Sequence, residues 1–318
     1  MGRRTKAKSK KIIGIVATIV ILILIALGAN PETINTISKI TGININLEQN
    51  ITETSNNNLS SQETKNNIIN GEELIVDYID VGQADSILLR TQDTAMLIDA
   101  GNNGDGEDVE KYIKDKGINE IEYLIGTHPH EDHIGGLDNI INEFNIGTIY
   151  MPNITTNTKT YEDVLTAIEN KGLNINIPKK GDKFNLGKAE CEVMTDSILD
   201  KNNLNLASIV IKITFGNNTF LFTGDAETEN EETINWPKVD VLKVGHHGSN
   251  TSTSEEFLNQ IQPKIAIISV GEDNDYGHPN SETIQKLENI GSKIYRTDEN
   301  GTIEIISNGT ELNISKSK

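Results

Sequence analysis

Three histidines and an aspartate fall within the six residues His128-Pro129-His130-Glu131-Asp132-His133, directly after the apolar run Ile121-Glu122-Tyr123-Leu124-Ile125. Imidazole and carboxylate are the side chains that hold divalent metals such as zinc. This spacing crowds four such groups onto one turn at a strand end. The chain has six histidines in all, the others being His246, His247 and His278. Each lies in one of three short loops, and each loop follows a segment that reads as a strand. An isolated histidine is usually an ordinary core or surface residue. Six confined to three strand-end loops point to a metal centre.

The acidic candidates obey the same placement. Asp99 closes Met96-Leu97-Ile98-Asp99, and Asp225 closes Leu221-Phe222-Thr223-Gly224-Asp225. His246 and His247 follow Leu242-Lys243-Val244-Gly245, and His278 sits in Tyr276-Gly277-His278-Pro279. Loops at strand ends let a rigid sheet hold groups without burying them inside it. Taken singly, an aspartate beside glycine is more often a turn residue. Beside six localised histidines, these aspartates read as ligands. The single cysteine, Cys191, excludes an intramolecular disulfide and lies far in sequence from the histidine loops. No Gly-x-Ser-x-Gly elbow or phosphate-binding Walker loop competes for the chemistry, and Gly101-Asn102-Asn103-Gly104-Asp105-Gly106 reads as a surface loop.

The elements that must position these groups begin at residue 72. Residues 1–11 are basic, and Ile12 to Ala29 is an uncharged apolar run. At about 1.5 Å per residue such a run is just long enough to cross a bilayer core. A cleaved signal peptide is the rival reading, with a small-x-small site at Ala26-Leu27-Gly28. The long apolar run favours an uncleaved anchor. The positive-inside rule then keeps the N-terminus cytoplasmic and puts the body outside the cell membrane; cleavage would leave it secreted. Residues 30–71 are rich in Asn, Thr, Ser and Glu and read as a disordered tether, with a possible short helix between Ile34 and Ile45. From 72 to 318, three short strands form a meander, and helices then alternate with strands. Strands are expected at 73–80, 86–90, 95–99, 121–125, 148–151, 188–194, 208–214, 219–223, 239–244, 264–270, 293–296 and 302–306. Gly216-Asn217-Asn218 signals a hairpin. Helices are expected at 107–116, 137–144, 161–170, 227–234, 254–261 and 281–290. Meander plus alternation, twice over, predicts two sheets sandwiched between helices.

The formal net charge is −19, although the first eleven residues carry six cations and no acid. The body is therefore more acidic still and gains nothing from general attraction to nucleic acid. A polyanionic substrate would have to be drawn in by metal or by a local basic patch.

The central motif, with Asp99 before it and Thr223-Gly224-Asp225 and the later histidines after it, resembles the metallo-β-lactamase superfamily. Asp80-Val81-Gly82-Gln83-Ala84-Asp85-Ser86, Leu242-Lys243-Val244-Gly245-His246-His247-Gly248-Ser249 and Tyr276-Gly277-His278-Pro279 are similar to its ComEC-like branch, the hydrolase domains of DNA-uptake competence proteins. The resemblance covers about residues 72 to 307. It implies a four-layer αββα sandwich with a metal site, usually binuclear, between the sheet edges. It implies His128 and His130 on a first metal, Asp132, His133 and His278 on a second, and Asp225 bridging. It implies Asp99 orienting ligands from behind, and His246 or His247 at the rim as an extra ligand, proton donor or phosphate contact. Asp85, Ser249 and Asn250 are further supporting or substrate-contacting candidates. One departure stands out. The superfamily usually carries a histidine between the central motif and Gly-Asp, whereas residues 134–245 contain none and Asn205 to Ser208 lies in its place. The first metal position is then weak, completed by His246, or empty.

The expectation is a membrane-tethered, extracytoplasmic hydrolase with one or two divalent ions, zinc or manganese. A metal lowers the pKa of bound water toward neutrality. Asp132 would orient the water, and His246 or His247 would protonate the leaving group. The substrate expected from the branch is a phosphodiester, with DNA as one candidate. A small phosphodiester or a cell-wall phosphocholine ester is the alternative. Lactam or thioester hydrolysis ranks lower, because those branches keep the missing histidine. A binding module with a decayed site is the reading from outside enzymology. Nothing in the sequence names a protein partner.

Overall fold

The computed structural model describes residues 71–318. The basic tail, the membrane run and all but the last residue of the tether lie outside the described residues. Among the described residues, no helix is long and apolar enough to cross a membrane.

Among the described residues, fifteen strands form two sheets. The first opens with β1 (Leu74–Tyr78), β2 (Ser86–Arg90) and β3 (Ala95–Ala100). It continues through β4 (Glu120–Ile125), β5 (Asn145–Tyr150) and β6 (Ile175–Asn176). The second holds β7 (Lys183–Leu186), β8 (Ala189–Val193), β9 (Ile211–Phe215) and β10 (Asn218–Phe222). It is extended by β11 (Val241–Lys243), β12 (Ile265–Ile268) and β13 (Lys293–Arg296). The chain then returns to the first sheet, where β14 (Ile303–Ser307) pairs with β1 and β15 (Leu312–Lys316) covers the edge. Each sheet begins antiparallel and turns parallel, at β3–β4 in one and at β10–β11 in the other.

The pattern of burial explains the layers. Along β9, Ile211, Ile213 and Phe215 are buried while Lys212 and Thr214 are only partly covered, the period-2 alternation of a strand with one inner face. With Phe222 of the neighbouring β10, those residues meet Tyr78, Ile87 and Met96 of the facing sheet in a core between the sheets. In β11 and β12 every residue is buried, as expected where a parallel strand is covered on both sides. A second core joins the first sheet to the helices Gly106–Asp115, Leu137–Glu143 and Lys159–Asn170. A third joins the second sheet to the helices Glu255–Ile261 and Ser281–Asn289. Three cores between four layers are the αββα sandwich expected from the sequence.

The differences in detail have local causes. The strand expected at 188–194 is one arm of a hairpin whose other arm, β7, carries Lys183, Asn185 and only one buried residue, Leu186, and so shows little apolar signal. The helix expected over 227–234 is a single turn, Thr228–Glu231. Glu231 is turned inward, where its carboxylate accepts from the Thr253 and Ser254 amides, and Pro237 follows shortly after. The strand expected from Ser208 begins at Ile211, because Leu204–Ala207 forms a 3-10 turn that brings Asn205 and Ser208 toward the histidines.

Candidate metal centre

The central motif leaves β4 at Ile125 and folds into one helical turn, Glu131–Ile134, with His130 at its N-terminal cap. Two glycines permit the close packing of this turn. A Cβ on Gly135 would lie 2.2 Å from the Asn102 carbonyl carbon and the Asn103 nitrogen, and one on Gly136 2.4 Å from the Ala100 oxygen. The loop Gly101–Gly106 is thus the floor of the motif, tied to it by the hydrogen bond that Gly135 N donates to Gly101 O at 2.9 Å.

Asp99, at the end of β3 with φ 58°, is wholly buried and directs three donors. Thr127 donates from its backbone N at 2.8 Å and from its hydroxyl at 2.7 Å, and His133 donates from Nδ1 at 2.8 Å. With a proton held on Nδ1, His133 turns Nε2 toward Asp225 Oδ1, 3.3 Å away, where the neutral ring would offer a lone pair to a cation. His247 is fixed in the same way, its Nδ1 donating to the Ser269 carbonyl at 3.0 Å. Its Nε2 lies 3.2 Å from Asp132 Oδ2 and 3.7 Å from Asp225 Oδ1. One ligand atom from each of Asp132, His133, Asp225 and His247 can be drawn within 4.8 Å of all the others. His133 Nε2, His247 Nε2 and Asp225 Oδ1 are buried and have no hydrogen-bond partner. Buried polar atoms are rarely left so. Two imidazole lone pairs and two carboxylates converging on one point fit a divalent cation of the zinc or manganese type.

A second, wider group flanks the other oxygen of Asp225. His128 Nε2 stands 2.9 Å from His130 Nδ1 and 3.9 Å from Asp225 Oδ2. His246 Nε2 stands 3.8 Å from the same oxygen. The His246 ring is steered by Glu227, 3.2 Å from Nδ1, and by Thr251 Oγ1 at 3.1 Å. His246 and His247, neighbours in sequence, therefore serve opposite sides of one carboxylate. They do so because both adopt left-handed backbone, φ 50° and 51°, a conformation that costs a non-glycine residue roughly 1–2 kcal/mol. Asn205 and Ser208 lie beside this group, with Asn205 Nδ2 3.4 Å from His246 Nε2 and Ser208 Oγ 3.4 Å from His128 Nδ1.

The charges are consistent with a place for a cation. Burial alone would lower the His133 pKa, but Asp225, Asp132 and Asp99 together hold it well above the usual histidine value. His247 is pushed down by burial and raised on balance by Asp225, Asp132 and Asp85. Burial would raise the Asp225 carboxyl, yet His133, His247 and His128 hold it far below the ordinary range. Burial, and then the charge of His133, keeps His128 neutral and well below its usual value. In the metal-free protein, protons on His133 and His247 thus offset the carboxylates, and a cation would displace them.

Several sequence expectations change place. His247, not His278, sits with Asp132, His133 and Asp225. His278 lies in the cavity wall, its ring centroid 5.7 Å from that of His246. Ser249 is buried and braces its own loop through Thr251 Oγ1 at 3.1 Å. Neither Ser249 nor the exposed Asn250 is among the residues lining the cavity. Asp85 lies behind the metal ligands, 3.9 Å from His133 Nδ1 and 3.7 Å from His247 Nδ1. Its partner is Lys243, a fully buried lysine 2.8 Å away that sequence reasoning passed over as a strand residue. Its burial follows from β11 being a parallel strand covered on both faces, which one lysine in the sequence does not signal.

The cavity in front of these groups encloses about 290 Å³ and includes His130, Asp132, Asp225, His247, Tyr276 and His278 in its lining. The sequence pattern of the metallo-beta-lactamase superfamily matches residues 79–272, and the chain belongs to that superfamily. It is similar to ComE operon protein 3 of Bacillus subtilis, 35% identical over 251 residues, covering 72% of this chain and 32% of that protein. It is also similar to Recombination protein 2 of Haemophilus influenzae, 30% identical and covering 72% of this chain and 28% of that one. A third relative is Competence protein ComA of Neisseria gonorrhoeae, 28% identical over 242 residues and covering 73% of this chain and 32% of that one. These relatives are ComEC-like competence proteins, and the chain spans about a third of their length. Among solved structures, the metallo-beta-lactamase fold protein YhfI of Bacillus subtilis superposes with a TM-score of 0.52 at 10% identity, covering 73% of this chain and 99% of that one, which shows the shared fold.

Proposed function

We propose that this superfamily member is a metal-dependent phosphodiesterase, held outside the cell membrane by the apolar run at 12–29. The observation that carries the catalytic part is the convergence of three unpartnered buried atoms, His133 Nε2, His247 Nε2 and Asp225 Oδ1, beside Asp132, where Asp132, Asp225 and His247 line an open cavity. Asp132, His133, His247 and Asp225 would hold one cation. His128, His130, His246 and the other oxygen of Asp225 would hold a second. Divalent cations there, zinc or manganese, supply Lewis acidity and bring water toward ionisation near neutral pH. The chain's own residues do the rest. Asp99 and the Ser269 carbonyl fix which nitrogens of His133 and His247 carry protons. Asp132, partly exposed in the cavity, is placed to orient water. His246, open to solvent and backed by Glu227, is placed to hand a proton to a departing oxygen.

The competence-protein relatives support DNA as a substrate. The acidic charge of the chain and a cavity lining without lysine or arginine support a short or unpaired substrate over a long duplex. Assaying the purified protein on bis-p-nitrophenyl phosphate, single-stranded DNA and nitrocefin, with manganese or zinc added, tests the reading. Metal-dependent turnover of the phosphodiesters is expected, and metal content should fall in His130→Ala and His247→Ala. Turnover of nitrocefin alone would overturn the substrate class. Inactivity on all three would favour a binding module.

A further inference from the structure

Tyr276 is the one aromatic among the strongly exposed large apolar residues of the described chain, 73% exposed, and it stands at the metal cavity. Its ring stacks on His278, with centroids 5.9 Å apart and planes inclined by 19°. His278 in turn meets His246 edge to face. The loop that carries Tyr276 is braced. Asn274 donates to the Gly271 and His278 carbonyls at 3.0 and 2.6 Å and accepts from His278 N at 3.0 Å. Gly271 N is itself held by Gln83 Oε1 at 3.1 Å.

From this arrangement we infer that Tyr276, supported by His278, is a stacking platform for a nucleobase, and that the substrate of the site is a nucleoside phosphodiester with its base unpaired. The inference rests on the phosphodiesterase reading and adds the substrate's second anchor. The cavity lining has no lysine or arginine to hold a phosphate chain, so binding energy must come from the metal position and from an uncharged contact. An aromatic face gives that contact to any base. The cavity, about 290 Å³, is at the small end for ligand sites, matching one nucleotide unit and not a duplex.

The test compares the manganese-loaded full chain on thymidine 5′-(p-nitrophenyl phosphate), methyl p-nitrophenyl phosphate and p-nitrophenylphosphocholine, which share a leaving group. The wild type should favour the thymidine ester in kcat/KM. Tyr276→Ala should shrink the ratio of thymidine to methyl ester by about 5- to 150-fold, and Tyr276→Phe should keep it. A ratio unchanged in Tyr276→Ala overturns the platform while turnover of the methyl ester leaves the phosphodiesterase reading standing. A Tyr276-dependent preference for the choline ester overturns it in favour of a cation-binding ring. Should no ester turn over, calorimetry with thymidine 5′-monophosphate against methyl phosphate decides. Tighter binding of the nucleotide that Tyr276→Ala abolishes upholds the platform and sinks the phosphodiesterase reading, whereas equal binding sinks both.

Discussion

Replacing Asp99 by asparagine tests whether the metal position depends on a proton placed from behind. The carboxylate accepts from Thr127 N at 2.8 Å, Thr127 Oγ1 at 2.7 Å and His133 Nδ1 at 2.8 Å. Oδ2 accepts from both the Thr127 hydroxyl and His133 Nδ1 and Oδ1 from Thr127 N, so an amide turns its donor either toward the hydroxyl and the ring together or toward the Thr127 backbone N–H. If the donor faces the ring, Nδ1 must give up its proton and Nε2 must carry one, pointing at Asp225 Oδ1 only 3.3 Å away. A protonated Nε2 cannot bind a cation. If the donor takes the Oδ1 side it meets the Thr127 backbone N–H, a second donor, and the charge-assisted bond to His133 still weakens to a neutral one. A hydrogen bond to a charged group contributes about 1.5–3 kcal/mol, which at about 1.4 kcal/mol per decade is roughly a 10- to 150-fold loss of metal affinity. That range overlaps the 10- to 100-fold typical of groups that orient metal ligands. Competition against a chromophoric chelator for zinc or manganese measures it, with circular dichroism confirming that the variant folds. Affinity within about threefold of wild type would refute the proposed role of Asp99.

Two further outcomes follow from the same buried charges. Lys243 and Asp85 form an ion pair with side chains 0% and 2% exposed, so Lys243→Met should destabilise the protein by about 3–5 kcal/mol in urea titrations by stranding a buried carboxylate; adding Asp85→Asn should restore much of this, and a double variant no more stable than the single one would contradict the pairing. The pH dependence has a definite sign: the folded-state pKa values of His133 and His247 lie above the ordinary histidine value of 6.5, so their contribution to the metal-free protein is complete below about 6.5 and is lost as pH rises through the folded values. A cation competes with those same protons, so the gap in Tm between metal-loaded and metal-free protein should widen above that pH, and a gap that narrows there would exclude proton displacement at these rings.

What could be read in the sequence was whatever depends on period and local crowding. The meander, the alternation and the twofold plan followed from apolar runs, and the sandwich followed from them. The convergence of Asp99, His128–His133 and Asp225 followed from their shared position at strand ends. What could not be read depends on backbone angle or distant packing. His246 and His247 are adjacent in the chain, and no periodicity reveals that left-handed backbone sends them to opposite sides of Asp225. That divergence is why His247 stands with Asp132 and His133 where His278 was expected. Lys243 was read only as part of a strand, because its burial depends on Asp85, more than 150 residues earlier. β7 was missed because an edge hairpin with polar residues carries almost no hydrophobic pattern.

The two halves of the fold explain why these groups meet. Each sheet changes from antiparallel to parallel, at β3–β4 and at β10–β11, and ligands collect beyond the carboxyl ends of parallel strands. One half supplies Asp99 and the histidine turn, the other Asp225 and the histidine pair. The halves are joined across the site, where Ile209 N donates to Thr127 O at 3.0 Å; within the second half, Asp225 N donates to Ser208 Oγ at 3.1 Å. Ser208 also reaches His128 at 3.4 Å. The segment that lacks the superfamily's usual histidine has therefore become the seam between the halves, and the imidazole it no longer carries is matched by His246 arriving from the next loop along the second sheet. An engineered histidine at Asn205 would then crowd His246, whose Nε2 is already 3.4 Å from the Asn205 amide. The two positions are alternatives for one place beside Asp225.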